Sequence, residues 1–265
     1  MEFPSAFLKD IRYTLLAALL VTLIYNFASG AASLDFILPI LVTVAFAAVL
    51  ELVIWHFEKR PLEIPLSAIV SSTIISIVLT PLFSTIHFSF LAVAIALLSK
   101  HFIKMGFAHV FNPANFGILI VSLLQPLLQS WWATSNPILT AILGAIVVYR
   151  IKGWRITIPF LLITLALTCL QLVFSTGLNL DFLVASVFSG TVLFFATIML
   201  VEPMTTPSQS NAKIAFGVIA AALSFAFSFV LPQVSFLAAL VVSNLCVSKL
   251  DEMFAPKPAT SAATT

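Results

Sequence analysis

Charge is scarce in this chain. Twelve Lys or Arg and ten Asp or Glu residues make up 8% of its 265 positions, against 61% hydrophobic residues. A water-soluble domain carries about 25% charged residues, so the composition excludes one. Cysteine is nearly absent as well. Cys169 and Cys246 both sit in apolar segments, and no CxxC or Cys/His cluster occurs, which argues against an iron–sulfur or zinc site held by this chain alone. No basic stripe or nucleic-acid motif is present, so nucleic acid is not a partner. The net charge of +2 defines no partner by itself; its distribution is more informative.

What the chain has is apolar runs close to the ~20 residues that cross a bilayer. Runs this long exclude the ~10-residue alternating strands of an outer-membrane barrel. Breaks at Pro, Gly and polar residues predict ten spans, at 10–29, 35–56, 64–80, 87–103, 113–129, 136–151, 155–175, 181–201, 212–231 and 233–249. The third and sixth are short for a full crossing, a pointer to a central site when it recurs in two halves.

The basic residues test this count. Lys9, Arg12, Lys59, Arg60, Lys100, Lys104, Arg150, Lys152, Arg155, Lys213, Lys249 and Lys257 all fall on one side of a ten-span chain. The opposite loops, SGAAS, PLFSTIH, QSWWATSN, FSTGLNL and LPQ, hold no Lys or Arg. Basic loops stay in the cytoplasm, so both termini are expected there, in a cell (inner) membrane. The first run followed by NFASGAAS has the form of a cleavable signal peptide. Its length, and the lack of a soluble domain after it, favour a retained span. The expected organisation is one membrane domain over 1–250 and a disordered cytoplasmic tail over 251–265.

Two polar breaks interrupt the apolar pattern. VFNPANFG places Asn112, Pro113 and Asn115 at the start of span five, and VEPMTTP places Glu202, Pro203, Thr205, Thr206 and Pro207 at the end of span eight. Proline removes a backbone donor and turns the preceding residue away from helix. The freed polar groups cost several kcal/mol each (~2–7) in hydrocarbon unless something satisfies them. Asn112 and Pro113 read as a helix cap and first turn, and the threonines of EPMTTP as a cap for span nine. A helix start of this kind also serves as a ligand site. Five spans per half, an odd number, requires any repeat to be inverted: about 10–129 and 136–249.

KHFIKMGFAHVFNPANFGIL, through Lys100, His101, Phe111, Asn112, Pro113 and Ala114, resembles the signature of the NqrB/RnfD family. These are the membrane flavin subunits of the sodium-pumping NADH:quinone oxidoreductase and the Rnf complex. FFATIMLVEPMTTP resembles the second signature through Phe194, Phe195, Pro203, Thr205 and Pro207, with Glu202 at its Asp position. SSTIISIVLTPL is similar to the family's third span. The resemblance implies an all-α integral membrane fold of ten helices in two inverted five-helix repeats, related to urea transporters. It also implies electron transfer through flavin, beside other membrane and cytoplasmic subunits of a redox complex that moves cations. Two departures stand out. The threonine of an SGAT motif, which carries FMN covalently in the family, has no equivalent: the interval reads QPLLQSWWATSNP, and the nearest string, SGTV, lies within span eight. The glycine-rich turn keeps one glycine, in IKMGFAH.

The expected activity is therefore that of a subunit without independent catalysis, holding FMN or riboflavin non-covalently between the two breaks. Asn112, Pro113, Asn115, Glu202, Thr205 and Thr206 would line that place, with Ser71, Ser72 and Thr73 of the short third span. The alternative is a urea-transporter-type solute transporter or channel that kept the fold without redox function, and a third reading is an assembly subunit. Elsewhere, Glu51 inside span two reads either as functional or as snorkelling toward Lys59 or Arg60. His109 reads as an interfacial residue, Trp131 and Trp132 as an aromatic belt, and Asp35 and Asp181 as helix caps.

Overall fold

The structure, a computed structural model, describes residues 10–106, 108–175 and 177–255. Lys9, Lys257 and residues 256–265 of the expected tail lie outside them. Among the described residues the regular structure is helical apart from one two-strand hairpin and an isolated bridge between Leu79 and Gln129. The helices are α1 (Ile11–Ala28), α2 (Ile37–Phe57), α3 (Leu66–Val78), α4 (Ile86–Phe102), α5 (Pro113–Leu124) and α6 (Pro137–Ile151). They continue with α7 (Trp154–Ser175), α8 (Leu180–Val187), α9 (Gly190–Phe194), α10 (Ser210–Ser228), α11 (Ser235–Leu245) and α12 (Val247–Met253). A π-turn over Phe195–Met199 extends α9. The hairpin pairs β1 (Lys104–Met105) with β2 (Ala108–His109), Lys104 opposite His109, and turns at Gly106 with a φ of 64° that glycine adopts without strain.

Among the described residues six helical stretches are long and apolar enough to cross a membrane, and a bent pair, Pro232–Leu245 with Val247–Met253 at 49°, would make a seventh. The chain is an integral membrane protein. α3, α5 and α6 are apolar but have only 13, 12 and 15 residues. At 1.5 Å per residue these are about 18–22 Å long, against about 30 Å of hydrocarbon. The sequence marked the third and sixth segments as short. The fifth is short too, because its apolar pattern runs on past Leu124 into non-helical chain.

That non-helical chain has a purpose. α3 ends inside the protein, where its last carbonyls lack helical partners. Ser130 and Trp131 donate their backbone N–H to Val78 O, at 2.9 and 3.0 Å, and Trp132 donates its indole N–H to Ser76 O at 2.7 Å. Thr80 returns a bond to Leu128 O at 2.9 Å. The loop after α5 thus satisfies the end of α3. Trp131 adopts a left-handed backbone, φ 50°, that bulky residues avoid, and its ring is buried edge-on to Phe194. It is not the interfacial anchor expected of it, because closing α3 draws it inward.

Helix starts follow the side chains available. Asn112, Asn136 and Asn179 each accept a bond from the N–H three residues on, and Pro113 and Pro137 fill first-turn positions that need no donor. Asn179 therefore caps α8, with Asp181 in its first turn, and Ser33 rather than Asp35 accepts the capping bond before α2. The threonines of EPMTTP do not cap α10. The Asp251 carboxylate takes the N–H groups of Ser208 and Gln209 instead, at 2.9–3.0 Å. Residues 251–253, placed in the tail by the sequence, are the last turn of α12.

The main packings are α7 on α10, α4 on α5, α10 on α11, α2 on α3 and α4, and α1 on α6. Small residues allow close approach, as they do between helices in lipid. Gly117 lies against Ala92 O, Gly217 against Ile156 O, and Gly190 against Thr134 O. A methyl group on Gly190 would stand 1.6 Å from that oxygen. Gly190→Ala should therefore force the α9 start away from the loop, at a cost of at least about 1–3 kcal/mol. An unchanged thermal midpoint in detergent would contradict this.

Candidate functional site

The two polar breaks meet in space through Asn112 and Met199, 87 residues apart in sequence. Asn112 accepts the Asn115 N–H at 3.0 Å through Oδ1 and donates through Nδ2 to Met199 O, also at 3.0 Å. Asn244 of α11 links both: its Oδ1 accepts from Asn112 N at 3.4 Å, and its Nδ2 donates to Thr205 O at 2.9 Å. Asn115 donates to Leu237 O at 2.9 Å, tying α5 to α11. Asn112, Asn115, Thr205 and Asn244 are all at least 95% buried. Buried amides are costly unless bonded, and here nearly every amide atom has a partner, with Asn112 and Asn244 joining the two breaks. The Oδ1 of Asn115 is the exception, buried without a partner.

Next to this junction a cleft of about 540 Å³ opens at the end of the molecule that carries Arg12, Arg60, Lys100 and Lys104, all of which line it. Its walls are Trp55, Leu66, Val70, Ile74, Val147 and Ile198. Ser71, Asn112 and Glu202, three of the expected site residues, also line it. Pro113, Asn115, Ser72, Thr73, Thr205 and Thr206 do not. The Ser72 and Thr73 hydroxyls bond back to Ile69 O, at 3.0 and 2.7 Å, within α3. The hairpin carries His109 to the cleft, where Nε2 is 3.2 Å from Glu202 Oε1. His109 is thus the partner of the second break rather than a membrane-edge residue. At the rim, the Arg12 guanidinium bonded to Asp10 holds that carboxyl below the usual carboxylate range.

Under the cleft lies a charge cluster that the sequence reading did not assemble. Glu51 is fully buried and forms an ion pair with Lys100, not with Lys59 or Arg60. Its second oxygen is 3.0 Å from His101 Nε2, and His101 Nδ1 is 3.0 Å from Glu58 Oε1. Arg60 completes the series, 2.8 Å from Glu58. A signal was present: Glu51 and Glu58, the C-cap of α2, are seven apart, a spacing that puts residues on one side of a helix, and Lys100 and His101 end an apolar helix. Their pairing depends on how α2 and α4 pack, which no local pattern gives.

Residues 122–260, more than half of the chain, match the model of the NQR2, RnfD, RnfE family. The chain belongs to that family. The matched stretch contains the second break and begins just after the first. No curated protein matches the chain. Membership in the NQR2, RnfD, RnfE family suggests a membrane subunit of a multi-subunit redox complex of the Na+-NQR or Rnf type. Typical members bind flavin, so the fit of a flavin to this cleft is the test of that expectation here. Its volume lies within the ~300–1,000 Å³ of small-molecule sites. Its apolar walls suit a fused ring, and Arg12, Arg60 and Lys104 supply cations for a phosphate. The residues present fit the group.

A second cleft, about 720 Å³, lies between α7, α8, α10 and the start of α11. It is lined by hydroxyls and amides, among them Thr164, Thr168, Gln171, Ser224, Ser228 and Ser235, and by no charged residue.

Proposed function

We propose that this chain is the membrane subunit of an NQR/Rnf-type electron transport complex that holds a flavin non-covalently in the charged cleft. The observation that carries the reading is the meeting of the two breaks at the wall of one cleft lined with cations. Arg12, Arg60 and Lys104 would take the phosphate of FMN, and Ser71 and Glu202 would reach the polar edge of the ring. Asn112 lines the cleft, and with Asn115 and Thr205 it fixes the shape from behind. When bound, the flavin supplies one- or two-electron transfer. The protein's part is to orient it, exclude water and present it to a partner subunit, and a coupled movement of cations belongs to the same proposal.

The same reading takes the helical segments as ten crossings in two inverted halves, with both termini in the cytoplasm of a cell membrane. The packing order supports it: α2 on α4 and α4 on α5 in the first half correspond to α7 on α10 and α10 on α11 in the second. α1 meets α6, and α5 meets α11, across the halves. Covalent attachment is not expected. Thr134 is buried and donates to Trp131 O, and Ser135 donates to Asn26 Oδ1.

Purified protein in detergent, supplied with FMN or riboflavin and freed of excess, is expected to show flavin absorption that acid precipitation releases into the supernatant. Protein that stays colourless after both additions would overturn the reading for the isolated chain. The second, hydroxyl-lined cleft favours one alternative, a urea-transporter-type solute pathway. Solute flux in flavin-free proteoliposomes, lost on replacing Gln171 or Ser224 of that cleft, would establish it.

A further inference from the structure

The charge cluster under the cleft has a direction. Glu58 is 28% exposed by its side chain, the His101 ring is 2% exposed, and Glu51 is 0% exposed. Glu51 and His101 line the cleft, whereas Glu58 stands outside it beside Arg60. Both nitrogens of His101 face a carboxylate oxygen at 3.0 Å. Both distances are within hydrogen-bond reach, and a neutral imidazole carries a proton on one nitrogen and a lone pair on the other, so each gap can pass a proton between ring and carboxylate.

We propose that Glu58, His101 and Glu51 form a proton path from solvent to the floor of the cleft. With the ring proton on Nε2 and Nδ1 bare, Glu58 takes a proton from water and passes it to Nδ1 while the Nε2 proton moves onto Glu51. Glu51 then gives that proton to a base in the cleft, and a turn of the imidazole restores the starting arrangement. One proton enters, one leaves, and no electrons move. Each end has its own cation, Lys100 on Glu51 and Arg60 on Glu58, so neither carboxylate traps the proton by charge alone. The other titratable groups facing this region are Lys104 and His109 of the hairpin, Glu202 opposite, and Asp10 and Arg12 at the rim. The path serves an occupant that covers the cleft mouth and takes up protons when reduced. That use rests on the flavin reading, while the path itself does not.

The test is the exchange of the His101 ring N–H protons with water, followed by NMR on the full chain labelled with ¹⁵N-histidine in detergent. Glu58→Gln, at the exposed end, is expected to slow exchange at Nε2 tenfold or more with the thermal midpoint unchanged. Glu58→Asp, which keeps a carboxyl, should recover most of the rate. Unchanged exchange in Glu58→Gln would mean that protons reach His101 through the cleft mouth, and would overturn the path. Slowed exchange in protein that binds no flavin would overturn the flavin reading alone. Flavin binding with unchanged exchange would overturn the path alone.

Discussion

Glu51→Leu is expected to destabilise the fold by about 3–5 kcal/mol, because it strips the counter-charge from Lys100 and His101 inside the protein. The Lys100 side chain is only 17% exposed and His101 only 2%. Neither can recover in water what the carboxylate supplied. Lys100→Met should do comparable harm, since it leaves Glu51 with the imidazole alone. The informative variant is the double one. Glu51→Leu with Lys100→Met removes both charges and replaces them with apolar side chains of similar size, and such replacements are often close to neutral. The double variant should therefore be clearly more stable than the sum of the single losses, with a coupling of at least about 3 kcal/mol. Thermal unfolding of the four proteins in one detergent measures this. Additive losses would show that the pair does not act as a unit.

How much of this was legible in the sequence differs by level. The apolar helical character was readable because bilayer length and hydropathy act locally, and the segments 10–29 and 35–56 agree with α1 and α2 to within a few residues. The cap role of Asn112 was readable for the same reason, since the bond to Asn115 N spans one turn. The shortness of α5 was not, because the chain after Leu124 stays apolar while it bridges to α3. The assignment of ligand roles to Asn115, Ser72 and Thr73 came from polarity alone. Polarity does not show whether a hydroxyl faces a cavity or its own helix, and Ser72 and Thr73 face Ile69 O. Glu51 was seen as an anomaly, but its partners came from α4, 49 and 50 residues on. Long-range pairing of this kind is fixed by packing and leaves no periodic trace.

The junction between the breaks predicts a graded result at one position. Asn112→Ala removes the cap of α5 and leaves Met199 O buried without its donor. A lost cap costs about 0.5–2 kcal/mol and an orphaned buried carbonyl about 1–3 kcal/mol, so the sum is about 2–5 kcal/mol. Asn112→Asp separates the two contributions. Its carboxylate still accepts from Asn115 N, and a negative charge suits a helix N-terminus. It has no donor for Met199 O, however, and sets a carboxylate oxygen against that carbonyl in a place that is 4% exposed. A buried, unpaired charge should make Asn112→Asp at least as damaging as Asn112→Ala, although aspartate is as good a cap as asparagine on an open helix. If Asn112→Asp instead keeps the wild-type midpoint, the residue acts only as a cap, and the link to Met199 contributes nothing. The same pair of variants reports on the cleft. Loss of the link frees the second break, so flavin affinity should fall in both variants at temperatures where both remain folded.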